Sequence, residues 1–140
     1  MEQDLSRFIQ AQDKSYEEAL SEIKSGRKRS HWMWYIFPQF KGLGFSETSK
    51  YYSIKDIDEA ERYLNHPILG ERLKLITKEL LALNENNANK VFGSPDDLKL
   101  KSSMTLFSAI DTSEENIFQA VLNKFFNGQT DNKTLTLLKE

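Results

Sequence analysis

The chain has 140 residues, 39% of them apolar and 29% charged, a balance that suits one globular domain spanning 1–140. Its 19 basic and 21 acidic residues leave a net charge of −2, so the cationic balance of a general nucleic-acid binder is excluded and nucleic acid is not an expected partner. With no cysteine there are no disulfides and no thiol chemistry, and two histidines are too few for a zinc set, so neither a metal site nor a cofactor is expected.

The elements follow in chain order. The opening MEQDLSRF is polar and charged, without the apolar centre of a signal peptide, and the expected location is the cytoplasm. Asp4 is suited to cap a short helix carrying Leu5, Phe8 and Ile9. Ser15 with Glu18 three residues on reads as a capping box for a second helix. Its apolar face would be Tyr16, Ala19, Leu20 and Ile23, and Gly26 would stop it. Ser30 then caps the aromatic segment SHWMWYIF, Pro38 breaks it, and KGLGFS makes a loop.

A second helical block is expected from about Ser53, with Ile57, Ala60, Tyr63 and Leu64 as its stripe. His66-Pro67 marks a fresh start, because proline suits a first helical turn and restricts the residue before it. NENNAN reads as a polar loop. Ser94-Pro95-Asp96-Asp97 opens the next helix, with serine as cap and two acids in the first turn. Ser113-Glu114-Glu115-Asn116 opens another, whose buried side is Ile117, Phe118, Val121, Leu122, Phe125 and Phe126, with Gly128 at its end. Asp131 begins a last short helix. No stretch reads as a strand; YYSI comes nearest. No apolar run reaches the length of roughly 18 residues that a membrane helix needs, so no membrane partner is expected. The fold class is all-α: a compact multihelical single domain of about seven or eight helices.

The chemistry-bearing residues concentrate in two stretches. SHWMWYIFPQF holds both tryptophans, and GRKRS stands directly before it. A helix apolar all round is a core helix, and that accounts for most of the aromatic run. Its polar ends point to a binding site. Arg27 and Lys28 are cations suited to phosphate, Trp32, Trp34 and Tyr35 offer stacking faces, and Gln39 lies in the glycine-flanked loop segment. His31 is a candidate acid or base near neutral pH. In the second stretch, SPDDLKLKSSMTLF, Asp97 is the candidate catalytic carboxylate, with Lys101, Ser102 and Ser103 as ligand-binding residues. Small hydroxyl residues inside a helix either bond something or permit close packing. The working expectation is that both stretches face one cleft.

These motifs, DLSRFIQAQ, YEEALSEIKSGRKRSHWMWYIFPQFKGLG, EAERYLNHPILGERL, VFGSPDDLKLKSSMTLF and GQTDNKTLTLL, together resemble the family catalogued as domain of unknown function 1810 over nearly the whole chain. The resemblance implies a mainly helical single domain and no particular activity. A second resemblance, of architecture alone and without a full shared motif, is to helical enzymes acting on N-glycosidic bonds of NAD- and ADP-ribose-related compounds. It implies a nucleotide- or ADP-ribose-like ligand and hydrolysis through an acid or base. The alternative is a non-catalytic module that binds a small anionic ligand or a protein.

Overall fold

The computed structural model of the chain describes residues 5–139. Phe8, Gln12, Tyr16, Ala19 and Ile23, spaced by three and four, face inward along one unbroken helix, α1 (Ser6–Lys24). Two helices were expected here. Ser15 starts none: its hydroxyl shares a 2.9 Å hydrogen bond with the Tyr35 hydroxyl instead, and the stripe runs straight through. The expected cap at Asp4 lies outside the described residues. Gln12 is polar on this stripe but satisfied, donating to the Tyr35 carbonyl at 2.7 Å and to the Tyr63 hydroxyl at 2.9 Å.

The aromatic segment is helical for one turn only, α2 (Met33–Ile36). Ser30 does not cap it, because its N–H and its hydroxyl both go to the Glu22 carboxylate. Two short helices were not foreseen. One is α3 (Glu47–Tyr51), whose cap Ser46 accepts the Ser49 N–H at 3.1 Å. The other is α6 (Ala88–Phe92), capped by Asn87 at the end of the polar NENN loop. The block expected from Ser53 starts later, as α4 (Ile57–Leu64), because Asp56 takes the Glu59 N–H at 2.8 Å.

Helix α5 (Leu69–Ala82) follows at once. His66 Nδ1 accepts the N–H groups of Ile68 and Leu69 at 3.0 and 3.2 Å, which gives that histidine its structural place. The α4–α5 corner is closed tightly: a Cβ on Gly70 would lie 2.1 Å from the Leu64 carbonyl oxygen.

Three helices complete the chain: α7 (Asp96–Ile110), α8 (Ile117–Phe126), capped by Asn116, and α9 (Asn132–Leu138), capped by Asp131. Ser94 makes no cap bond to α7, whose first turn is entered from Pro95. Among the described residues there are nine helices, close to the number expected, and no strand. Phe40 and Ile54 form an isolated parallel bridge that pins the KGLGFS loop.

Helix α7 is the central element, in contact with α4, α6, α8 and α9, and Ser102 to Phe107 are all buried along it. Helices α1, α5 and α8 pack as a layer, with α2 against α1. The core runs from Phe8 and Ile23 through Trp32, Phe37 and Tyr63 to Phe107 and Phe118. Each fully buried side chain of this size contributes about 1.5–3 kcal/mol relative to exposure.

The serine-rich face of α7 also has a structural answer. Ser102 donates to the Asp131 carboxylate at 3.1 Å, and Thr105 accepts the Asp131 N–H at 2.9 Å, so the cap of α9 is bolted to α7. Ser103 is fully buried and its hydroxyl has no partner in the protein.

Candidate functional site

The GRKRS turn is shaped by one buried carboxylate. Glu22 sits in the last turns of α1, where the helix dipole disfavours a negative charge. It accepts hydrogen bonds from the Arg29 N–H at 2.7 Å, the Ser30 N–H at 3.0 Å, the Ser30 hydroxyl, and the Trp32 indole N–H at 2.9 Å. Desolvation pushes the Glu22 carboxyl up, but these four donors outweigh it and hold it at about 2. Trp32 is thereby locked in the core, 1% exposed, where it serves packing and offers no face for stacking.

With the turn fixed, Lys28 reaches across to the start of α7. Its backbone N–H donates to the Val91 carbonyl at 2.7 Å, and its ammonium meets Asp96 at 2.8 Å. Lys99, one turn into α7, takes the other Asp96 oxygen at 3.0 Å. Burial raises the Asp96 carboxyl, while hydrogen bonds from Lys28 and Lys99 bring it below its ordinary value, so it is ionised at neutral pH. The Lys99 ammonium lies 4.2 Å from the centre of the Trp34 ring.

These groups line a cleft of about 320 Å³ with His31, Tyr35, Ser46 and Thr48. The basic turn and the Ser-Pro-Asp-Asp segment therefore meet on one face, joined by the Lys28–Asp96 ion pair. Two cations, one carboxylate, two aromatic rings and two hydroxyl side chains converge there, a set able to hold an anionic, ring-bearing or polyhydroxyl molecule.

The structure distributes the remaining sequence-derived residues differently. His31 is exposed at the cleft, and no described side chain hydrogen-bonds its ring. Arg27 is exposed and does not line the cleft. Asp97 points its carboxylate to the Asn89 amide at 3.3 Å and the Leu98 N–H at 2.8 Å; Asp96, its neighbour, is the carboxylate in the cleft. Lys101 lies over the Phe126 ring at 6.0 Å, and Ser102 and Ser103 belong to the α7 interior; none of the three lines the cleft.

Gln39 lines an adjoining cavity of about 230 Å³ under the KGLGFS loop, with Trp34 as the wall shared between the two spaces. Gly44 packs between the Ser49 side chain and that wall. A Cβ there would come within 2.6 Å of the Ser49 side chain and 3.3 Å of Trp34. Asp96 and Lys99 were not singled out from the sequence, because an acid in a first helical turn and a lysine three residues on have a complete explanation in helix electrostatics. Ser46 and Thr48 carried no signal beyond loop composition. Among the described residues no cluster of histidine and carboxylate side chains is arranged to hold a metal ion, and no helix is long and apolar enough to cross a membrane.

No functionally curated protein matches the chain. Among solved structures it is similar to the conserved hypothetical protein Rv1873 from Mycobacterium tuberculosis, determined by crystallography at 1.38 Å. The identity is 42% over 98% of this chain and 97% of that one, with a TM-score of 0.94. Residues 2–138 match the family model described as protein of unknown function, DUF1810, and the chain belongs to that family.

Proposed function

We propose that the Lys28–Asp96–Lys99 cleft binds a nucleotide- or ADP-ribose-like small molecule. The observation that carries this reading is the convergence, in one concave space, of two lysines, an ionised carboxylate and the exposed edge of Trp34. A phosphate group has the two ammonium groups to meet, with Arg27 next to Lys28 in sequence. Ribose hydroxyls have Asp96, Ser46 and Thr48 to donate to or accept from. An aromatic base has Trp34 and Tyr35 to lie against. The triad carries a net positive charge, which favours an anion, while Asp96 orders the two lysines before any ligand arrives.

A second reading adds hydrolysis of the N-glycosidic bond. It rests on His31 at the mouth of the cleft and on Asp96 being held in its charged form. In that step water would add to the anomeric carbon as its bond to nitrogen breaks, the charged Asp96 would face the developing oxocarbenium centre, and His31 would carry a proton to the leaving nitrogen while the attacking water gives one up. No described side chain orients the His31 ring, which favours binding over turnover.

The test is a thermal-shift and calorimetry series against AMP, ADP-ribose, NAD and ribose 5-phosphate. A ligand at 100 times its Kd adds about 2.7 kcal/mol, several degrees in Tm. Trp34→Ala and Lys99→Gln are expected to weaken binding tenfold or more, and Arg27→Gln no more than about threefold. No shift with any member of the series, or binding indifferent to Trp34 and Lys99, refutes the assignment. Chromatography for the released base decides between the two readings.

A further inference from the structure

The second cavity carries a feature that the core does not explain. Gln39 is 7% exposed, lines the cavity under the KGLGFS loop, and its Nε2 has no hydrogen-bond partner within the protein. The main chain is tied on both sides of Phe40: the Gln39 carbonyl accepts the Ile54 N–H at 2.9 Å, and the Lys41 N–H donates to the Ile54 carbonyl at 2.9 Å. The segment is therefore held by main-chain bonds, and no hydrogen bond from the Gln39 amide nitrogen helps to hold it. A buried amide donor without a partner is unfavourable wherever the chain has no use for it, and leucine or methionine would fill the same space without the penalty.

We propose that this cavity receives the planar ring of the ligand whose anionic end lies against Lys28 and Lys99, and that the Gln39 amide reads the ring's edge. The inference rests on the reading of the cleft given above. Three observations support it. The cavity is mainly apolar, walled by Phe40, Leu43, Phe45 and Tyr52, and at about 230 Å³ it suits a ring system and is too small for a whole nucleotide. Trp34 borders both spaces, which puts the cavity and the cleft on either side of one shared side chain. A side-chain amide presents a donor and an acceptor side by side, the complement of a heterocycle with an adjacent acceptor and donor, as on the outer edge of adenine. The missing Cβ at Gly44 lets the loop lie close against Ser49 and Trp34, and Phe45, 80% exposed, lines the cavity where it can cover a bound ring.

The experiment compares wild type with Gln39→Leu against three probes: ribose 5-phosphate, adenosine and AMP, by calorimetry and by amide chemical shifts of Gly42 and Gly44. The expected result is that AMP binds more tightly than ribose 5-phosphate and that adenosine shifts both glycine amides. Gln39→Leu should weaken AMP and adenosine about tenfold, leave ribose 5-phosphate within twofold, and leave Tm unchanged or raised. A fall in Tm instead shows that the amide serves the fold and overturns the inference. Equal affinity for AMP and ribose 5-phosphate with silent glycine amides also overturns it, while the cleft reading stands. If none of the three probes binds, both readings fail. Nicotinamide riboside in place of adenosine separates a carboxamide-bearing ring from a purine.

Discussion

Glu22→Gln is the substitution through which the GRKRS turn is best interrogated. The wild-type carboxylate accepts four hydrogen bonds and donates none. Three of the donors, the Arg29 and Ser30 N–H groups and the Trp32 indole, share one Glu22 oxygen, and the Ser30 hydroxyl takes the other, so a glutamine can keep the first three but only as bonds to a neutral oxygen, and it loses the bond the Ser30 hydroxyl donates. Bringing a glutamate from its ordinary 4.5 down to about 2 corresponds to roughly 3 kcal/mol of preferential stabilisation of the charged form. The turn is close to water, and screening reduces that to about 2 kcal/mol. Because the folded value is the lower one, this stability is present above pH 4.5 and is lost as pH falls from there toward 2. Urea unfolding of both proteins at pH 7, 4 and 3 is the assay. The expected deficit of the variant is about 2 kcal/mol at pH 7, shrinking steadily at the lower values. A deficit below about 0.5 kcal/mol at pH 7, or one that does not change with pH, would refute the claim that the carboxylate charge organises this turn.

Three further outcomes follow from the geometry. Gly70→Ala places a methyl 2.1 Å from the Leu64 carbonyl and is expected to lose roughly 2–4 kcal/mol in chemical denaturation, since the obstacle is backbone. Arg7→Met strands Glu59, which is 1% exposed and meets the Arg7 guanidinium at 3.1 Å, and should lose about 3 kcal/mol; adding Glu59→Gln should recover part of that loss, read by a double-mutant cycle. Asp131→Ala removes the cap of α9 and the acceptor for Ser102 and Thr134, and should lower stability by about 2 kcal/mol and speed amide exchange in Asn132–Leu138 ahead of α8.

The helices that were legible in the sequence are those with both a periodic stripe and a local stop or start. Asp131 makes the cap its position announced, the helix that the Ser113–Asn116 stretch was expected to open is capped at the last of those residues, Asn116, and Phe118, Val121 and Leu122 are buried as their spacing required. Sequence reasoning failed where a distant partner claimed a side chain that local rules had assigned to a cap. Ser15 went to Tyr35 and Ser30 went to Glu22, so one helix was read as two and a single turn was read as a full helix. The five-residue helices α3 and α6 are too short to show a period and were read as loop. In the site, Lys28, His31, Trp34 and Tyr35 were identifiable as an unusual mixture of cations and rings, and they do share the cleft. Asp96 was hidden behind a sufficient local explanation. The opposite held for Trp32: ring chemistry suggested a stacking face, and only the indole bond to Glu22 shows that it is interior.

The two tryptophans have settled into unlike surroundings, and this has an optical consequence. Trp32 is sealed and hydrogen-bonded to a carboxylate, whereas Trp34 is partly exposed, with a lysine ammonium 4.2 Å from its ring centre. The chain thus carries one fluorophore that reports on the integrity of the fold and another that reports on the cleft. Trp34→Phe leaves the emission of the buried Trp32, which reports chiefly on unfolding. The difference between that signal and the wild-type signal isolates the cleft indole, which iodide or acrylamide can reach and an occupying molecule would shield. The protein can therefore be followed in solution without an added label, with unfolding and occupancy read separately from the same sample.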